Sequence, residues 1–232
     1  MVQKGNSVLK NVTEAKPILA FETSENICGV CIYFSDTKYF STAVNLKHSH
    51  SEIIFDIAQS LFKLAGIKPN DLDSIAVSEG PGSFTGLRIG FSAAKGIAYG
   101  ANLPIIPIPT YEALAYQLSS ILNESEEFII SNKVNRDEVY FSKFQIKSNN
   151  YIFAEDLTIL RKEIFLQKSE GCKVFGNSAD LSGRQILFPS IPDALYVAKW
   201  AIEFGMHKKT FNYDFLEPNY LKDFIVKEKK NA

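Results

Sequence analysis

Residues 78–100 read SEGPGSFTGLRIGFSAAKGIAYG, the densest run of glycine, alanine and serine in the chain. The run follows the apolar triplet Ile75-Ala76-Val77 and passes into a helical pattern, so a strand, a tight turn and a helix are joined here. Within that helix Gly86, Gly90, Ala94 and Ala98 recur every four residues and stack along one face. Each internal glycine costs a helix about 1 kcal/mol relative to alanine. Two of them on one nearly bare face call for a neighbour that packs unusually close. Either the stripe packs on a helix over residues 51–65 within the same lobe, or the two helices together present a surface to another subunit.

Phosphate-binding loops also place glycines between a strand and a helix, and their spacing can be tested. Gly80, Gly82 and Gly86 are two and four apart, against two and three in G-x-G-x-x-G. Leu87 and Arg88 stand where a Walker loop needs Lys followed by Ser or Thr. Neither template fits. The helix start around Ser83 and Thr85 still offers free backbone N–H groups to an anion.

Upstream, the pattern predicts strands over 18–21, 28–34 and 39–44, joined by short polar turns and therefore antiparallel. Ser49-His50-Ser51-Glu52 fits a capping box for the helix of 51–65, with Gly66 at its C-terminal end. Ile54, Ile57, Ala58, Leu61 and Ala65 line one face of it, while Ile53, Phe55 and Phe62 fall outside that stripe. An apolar arc this wide implies burial on more than one side. A strand over 74–78 leads into the glycine-rich turn. Downstream, the proline-rich 104–109 is at best an edge or short strand. Helices are predicted over 111–122, 162–168 and 193–204, and strands over 128–131, 138–146 and 172–175. This arrangement suggests two α/β lobes of related plan, over 17–105 and 106–218. An extension over 1–16 precedes them and a tail over 219–232 follows.

Composition narrows the function classes. The 232 residues are 46% hydrophobic and 22% charged, an ordinary globular balance with enough apolar content for packed cores. A net charge of -1 with four arginines argues against tight, independent nucleic-acid binding, and the basic run at 227–230 reads as a solvated chain end. No apolar run approaches the ~20 residues that span a bilayer, residues 1–16 lack the apolar centre of a signal peptide, and the cysteines number three. A reducing, cytoplasmic setting is the expectation.

The run GPGSFTGLRIG followed by AAKGIA resembles the signature of the TsaB family (also called YeaZ-like), the bacterial partner in making threonylcarbamoyladenosine on tRNA. Supporting pieces occur in order: Ile18-Leu19-Ala20-Phe21-Glu22-Thr23-Ser24, His50-Ser51-Glu52, Pro69-x-Asp71-Leu72-x-x-Ile75-Ala76-Val77 and Glu217-Pro218-x-Tyr220-Leu221. The resemblance is strong from 17 to about 110 and weak from there to the tail. It implies two ribonuclease-H-like lobes of the actin, sugar-kinase and heat-shock ATPase (ASKHA) type, with mixed sheets flanked by helices. It also implies a role: pairing with a related catalytic subunit, TsaD, which transfers the carbamoyl group to adenosine 37 of tRNA, with an ATPase, TsaE, joining them. ATP and a metal are then expected in the partner subunits, none being expected in this chain, and tRNA is reached only through the complex.

Signs of chemistry in the chain itself are sparse. The catalytic relatives hold a metal through two histidines four apart; here His48 and His50 are two apart, and Glu52 and Ile54 follow. His48, His50 and Glu52 read as surface and capping residues rather than ligands. Cys28-x-x-Cys31 lies within a predicted strand, where residues three apart face opposite ways, and Cys172 is alone. In the superfamily the turn after strand one, here Glu22-Thr23-Ser24, approaches nucleotide phosphates, which makes these three candidates together with Ser83 and Thr85. Departures weaken that site: Glu22 replaces the usual Asp, Lys133-Val134-Asn135 replaces an Asp-Ala-Arg run, and Gly176-Asn177-Ser178 only partly resembles the second-lobe turn. The expectation is a non-catalytic subunit docking its homologue through the helices of 51–65 and 84–99, burying roughly 1,600 Å². Its anchors would be Ile54, Phe55, Leu61, Phe62, Leu87 and Phe91, with Gly86, Gly90, Ala94 and Ala98 setting the approach. Alone, the same patch would form a homodimer. The alternative is a small ATP-binding kinase or ATPase of the same fold acting by itself.

Overall fold

The structure, a computed structural model, describes residues 15–45, 50–183 and 185–221. Nearly all of the predicted N-terminal extension, Ser49 of the capping box, His48 and the basic run at 227–230 lie outside the described residues.

Alternation of buried side chains makes the first half a two-faced sheet. Strands β1 (Ile18–Glu22), β2 (Ile27–Ser35) and β3 (Lys38–Asn45) form an antiparallel meander. Helix α1 (His50–Ala65) leads to β4 (Ser74–Gly80), which pairs parallel with β1. Helix α2 (Phe84–Ala101) then leads to β5 (Ile105–Pro109), giving the order β3-β2-β1-β4-β5. Pro107 and Pro109 are tolerated because β5 is parallel to β4 and is the outermost strand of the five, as its composition predicts. Leu19 and Phe21 point towards α1 and α2, while Ile18 and Ala20 point the other way. Cys28 and Cys31 likewise fall in the clusters on opposite faces, so they form no pair; burial pushes the two thiols up to about 11 and about 12.

The second sheet repeats this plan. β6 (Glu127–Lys133), β7 (Glu138–Lys147) and β8 (Asn150–Arg161) meander antiparallel, helix α4 (Lys162–Lys168) follows, and β9 (Lys173–Phe175) pairs parallel with β6. The order β8-β7-β6-β9 matches β3-β2-β1-β4 strand for strand. Helix α3 (Thr110–Leu118) lies between the sheets, its Ala113 packing towards the first and its Tyr111, Leu114 and Leu118 towards the second. Helix α5 (Ala194–Trp200), continued by a π-helical turn Ala201–Gly205, returns the end of the chain to the outer face of the first sheet.

Two elements differ from the periodicity. α3 stops four residues before its predicted end, where the hydroxyls of Ser119 and Ser120 bond back to the carbonyls of Tyr116 and Gln117. β8 carries no prediction at all. Register shifts opposite Phe141, Lys143 and Phe144 place extra residues in β8 near Glu155, which breaks the alternation that identifies a strand.

Gly86 and Gly90 of α2 face inward. A methyl group at Gly86 would overlap the carbonyl oxygen of Thr23, and one at Gly90 would overlap the Thr23 hydroxyl. A methyl group at Gly96 would meet nothing within 4 Å. In urea titrations Gly86→Ala is expected to lose about 3 kcal/mol through overpacking, whereas Gly96→Ala gains about 1 kcal/mol from helix propensity. Equal effects at the two positions would contradict this packing.

Candidate functional site

Two candidate sites arise from the sequence: the turn after β1, and the face shared by α1 and α2. The turn is enclosed. Glu22, Thr23 and Ser24 are all buried, and the Glu22 carboxylate and the Thr23 hydroxyl are bonded within the first lobe. The Thr23 hydroxyl donates to the carbonyl of Gly86 at 2.8 Å, and the amide of Ser83 donates to the Ser24 carbonyl at 2.6 Å. Glu22 Oε1 accepts from the amide of Ser24 at 2.6 Å, and Oε2 accepts from the hydroxyl of Ser78. Ser83 caps α2 by accepting from the amide of Gly86 at 3.2 Å. Thr85 is exposed on the outer side of the helix.

The five residues proposed for an anion are therefore not brought to one surface. Three are interior, one is a cap and one faces solvent. The reason is steric: Gly82, Gly86 and Gly90 let α2 press directly on Thr23 and Ser24, closing the space a phosphate would need. Glu25 is the acidic residue of this turn that reaches the space between the sheets. Its Oε1 accepts from the Asn177 side chain at 3.2 Å, across a cavity of about 220 Å³ also lined by Asn132, Phe188 and Ile191. Burial raises the Glu25 carboxyl above its ordinary range, and the amide of Asn177 opposes that rise. Asn177 is itself held by the amide of Lys133 at 2.7 Å and by Asn132 Oδ1 at 2.8 Å. Sequence spacing gave no sign of Glu25, because its role depends on a residue 152 positions away.

The helical face also needs correction. Of the ten residues proposed to meet a partner, Ile54, Leu61, Gly86, Leu87, Gly90, Phe91, Ala94 and Ala98 are buried within the chain's own core. The bare stripe is turned into the chain's own core: Gly86 and Gly90 lie against Thr23 and Val77, and Ala94 and Ala98 are buried in the cluster between the first sheet and the two helices. Phe62 is half-buried against the same core. Phe55 alone of the ten stands out, 52% exposed.

The surface that α1 and α2 do offer is the opposite one. On α2 it runs through Thr85, Arg88, Ser92, Gly96 and Tyr99, all exposed at helical spacing. Between the helices lies a groove of about 470 Å³ with Ile54, Phe55, Ile89 and Ala93 among its walls and Phe84 and Arg88 at one end. A second groove of about 520 Å³ continues past Phe55 to Phe62, Ile67 and Ile97. Ser51 and Phe55 of α1 lie beside Thr85 and Ser92 of α2, and Phe62 lies beside Ile97, so the two helices run in the same direction. The periodicity of α1 signalled Phe55 as surplus to its buried stripe; nothing in the local pattern signalled Phe84, Ile89 or Arg88.

A metal reading gains nothing here. His50 is buried and Glu52 exposed, so they do not share a face. Among the described residues no three histidine, cysteine or acidic side chains are grouped to hold an ion, and no helix is long and apolar enough to cross a membrane.

Comparison with known proteins follows the same outline. The family model for TsaD, tRNA N6-adenosine threonylcarbamoyltransferase, matches residues 44–175, more than half of the chain. The tRNA threonylcarbamoyladenosine biosynthesis protein TsaB of Haemophilus influenzae is 28% identical over 91% of this chain and 96% of its own length. The protein of the same name from Escherichia coli is 26% identical over 91% of this chain and 97% of its own. Among solved structures, YeaZ from Pseudomonas aeruginosa superposes with a TM-score of 0.72 at 22% identity, covering 89% of this chain and all of that one. The fold is thus that of the two-lobed ribonuclease-H-like group that the sequence suggested.

Burial dominates the behaviour of Glu22, pushing its carboxyl from an ordinary 4.5 to about 7 against the hydrogen bonds from Ser24 and Ser78. The folded state therefore keeps a proton that the unfolded chain releases first. Between about pH 4.5 and pH 7 stability should fall as pH rises, by about 3 kcal/mol in total, and stay level above. Urea unfolding of the wild type and Glu22→Gln at pH 5 and pH 8 isolates this group: the variant gains on the wild type as pH rises. A constant difference between them would remove Glu22 as the source.

Proposed function

The chain belongs to the TsaD family, within which it is TsaB-like, and we propose that it serves as a non-catalytic subunit in the synthesis of threonylcarbamoyladenosine on tRNA. The observation that carries this reading is the end-to-end similarity to proteins named for that biosynthesis. Its task is to bind the TsaD-type enzyme through the outer face of α1 and α2. A TsaE-type ATPase joins them, and tRNA is engaged through the assembly in the cytoplasm.

Two features of the molecule support the division of labour. The turn that would approach nucleotide phosphates is packed against α2, with the Thr23 hydroxyl bonded to that helix and the Glu22 carboxylate bonded to Ser24 and Ser78. Meanwhile the α1 and α2 groove exposes aromatic and aliphatic side chains that no element among the described residues covers, which is the surface a protein partner buries. The family match includes α1 and α2, so a TsaD-type partner brings counterparts of both helices to such a meeting. Four helices then pack as a bundle. In the absence of that partner a second copy of the chain takes its place.

Phe55 is the anchor this reading singles out, since it is large, central and separates the two grooves. Phe55→Ala is expected to weaken binding to the TsaD-type subunit at least about tenfold, with the melting temperature of the isolated chain unchanged. In a reconstituted reaction, formation of the modified nucleoside should fall in step. Wild-type affinity for Phe55→Ala, or full modification without this chain, would refute the proposed role. Calorimetry of the isolated chain with ATP and magnesium should give no binding; turnover there would favour a self-sufficient ATPase.

A further inference from the structure

The segment Glu217-Pro218-Asn219-Tyr220-Leu221 lies outside both lobes' sheets. In the fold it returns to the start of α2. The amide of Asn219 donates to the carbonyl of Glu79 at 2.7 Å, which fixes the strap beside the end of β4. The Tyr220 ring then lies 5.1 Å from the ring of Phe84, centroid to centroid. Arg88 completes the cluster. Its guanidinium sits 3.9 Å above the centre of the Phe84 ring, and its Nε donates to the Tyr220 hydroxyl at 3.0 Å.

This arrangement immobilises an exposed cation. Arg88 forms no ion pair among the described residues, although seven other basic side chains do. One side of its planar group rests on an aromatic face and its Nε is taken, which leaves the pair of terminal nitrogens. That pair is the edge which binds a carboxylate through two parallel hydrogen bonds. It lies at the end of the groove whose other walls include Ile54, Phe55, Ile89 and Ala93, and where the parallel helices bring their N-terminal turns together. Both helix dipoles favour negative charge at that end.

We propose that Arg88 is the receptor for an acidic side chain of the partner, held ready by the C-terminal strap, so that the groove accepts a carboxylate flanked by aliphatic residues. This inference rests on the docking face proposed above and adds the chemistry that selects its occupant. Tyr220 acts as a positioning residue: it touches Arg88 rather than the partner's acid. Prepaid ordering of the long arginine side chain is what makes the pairing effective at a surface, where a mobile cation contributes little.

The test measures affinity between the full chain and the TsaD-type subunit at about 0.05 M and about 0.5 M salt, conditions that bracket strong and weak screening. Arg88→Met keeps the hydrocarbon stem over Phe84 and removes the charge. It is expected to weaken binding at least tenfold at low salt, mainly through faster dissociation, and to flatten the salt dependence. Arg88→Lys should lose most of that affinity while keeping the salt slope, because a point charge does not reproduce the fork. Tyr220→Phe should lose a few-fold alone and nothing further when combined with Arg88→Met. Phe55→Ala serves as the control for the docking face itself. If Phe55→Ala loses binding while Arg88→Met stays within twofold of wild type, the carboxylate receptor is wrong and the docking face stands. If both bind as wild type, the docking face falls and the receptor with it. A change confined to self-association of the chain would also overturn the assignment, by making a second copy the occupant.

Discussion

Close contact between α2 and the turn after β1 is the constraint on which the rest of the molecule depends. Three glycines, at 82, 86 and 90, bring the helix backbone onto Thr23 and Ser24, and the Thr23 hydroxyl joins the two by bonding the carbonyl of Gly86. The amide of Ser83 does the same from the helix side by donating to Ser24. A side chain at these positions would lift α2 from the sheet and open the core formed by Leu19, Phe21, Val77 and Phe91. Seating the helix this deeply also decides its orientation. With Ala94 and Ala98 inward, Arg88 and Ser92 have to face out beside α1.

The same device recurs in the second lobe, in reduced form. Gly176, at a φ of 101°, follows the parallel strand β9 as Gly82 follows β4, and a methyl group there would overlap the carbonyl of Ser131 at the end of β6. Its neighbour Asn177 then reaches across to Glu25 of the first lobe. Matching strand orders make the correspondence one of position as well as chemistry. Two polar turns that face each other across a cleft in this fold are, in this chain, tied by one amide and one carboxylate.

Burying a polar turn carries a physical cost that is visible in Glu22. Its carboxyl is buried between β1 and β4, and loss of water outweighs the hydrogen bonds from Ser24 and Ser78. A group in that position is a structural element. The exposed chemistry of the lobe lies on the other side of the helices, where apolar walls and one ordered guanidinium meet. Support for a binding subunit comes from this exchange of faces: polar side chains turned inward, aromatic ones turned out.

Much of the architecture was legible in the chain itself. The short apolar runs of β1 and β2 between polar turns, the prolines of β5 and the bare stripe of α2 each dictate a local conformation through neighbours a few residues away. β8 was hidden because its bulges disrupt the alternation, and the early end of α3 because serine hydroxyls compete for its last carbonyls. The proposed docking face was half legible: Phe55 was surplus to its helix, but the residues around it that are buried were indistinguishable from exposed ones by spacing alone. Sequence by itself determined that α2 must carry something close against its glycines and that the chain forms two related α/β lobes. Only the tertiary structure decided that the close neighbour is the chain's own first sheet. Periodicity reports which residues share a face, whereas the identity of what covers that face depends on contacts such as Thr23 with Gly86, 63 positions apart.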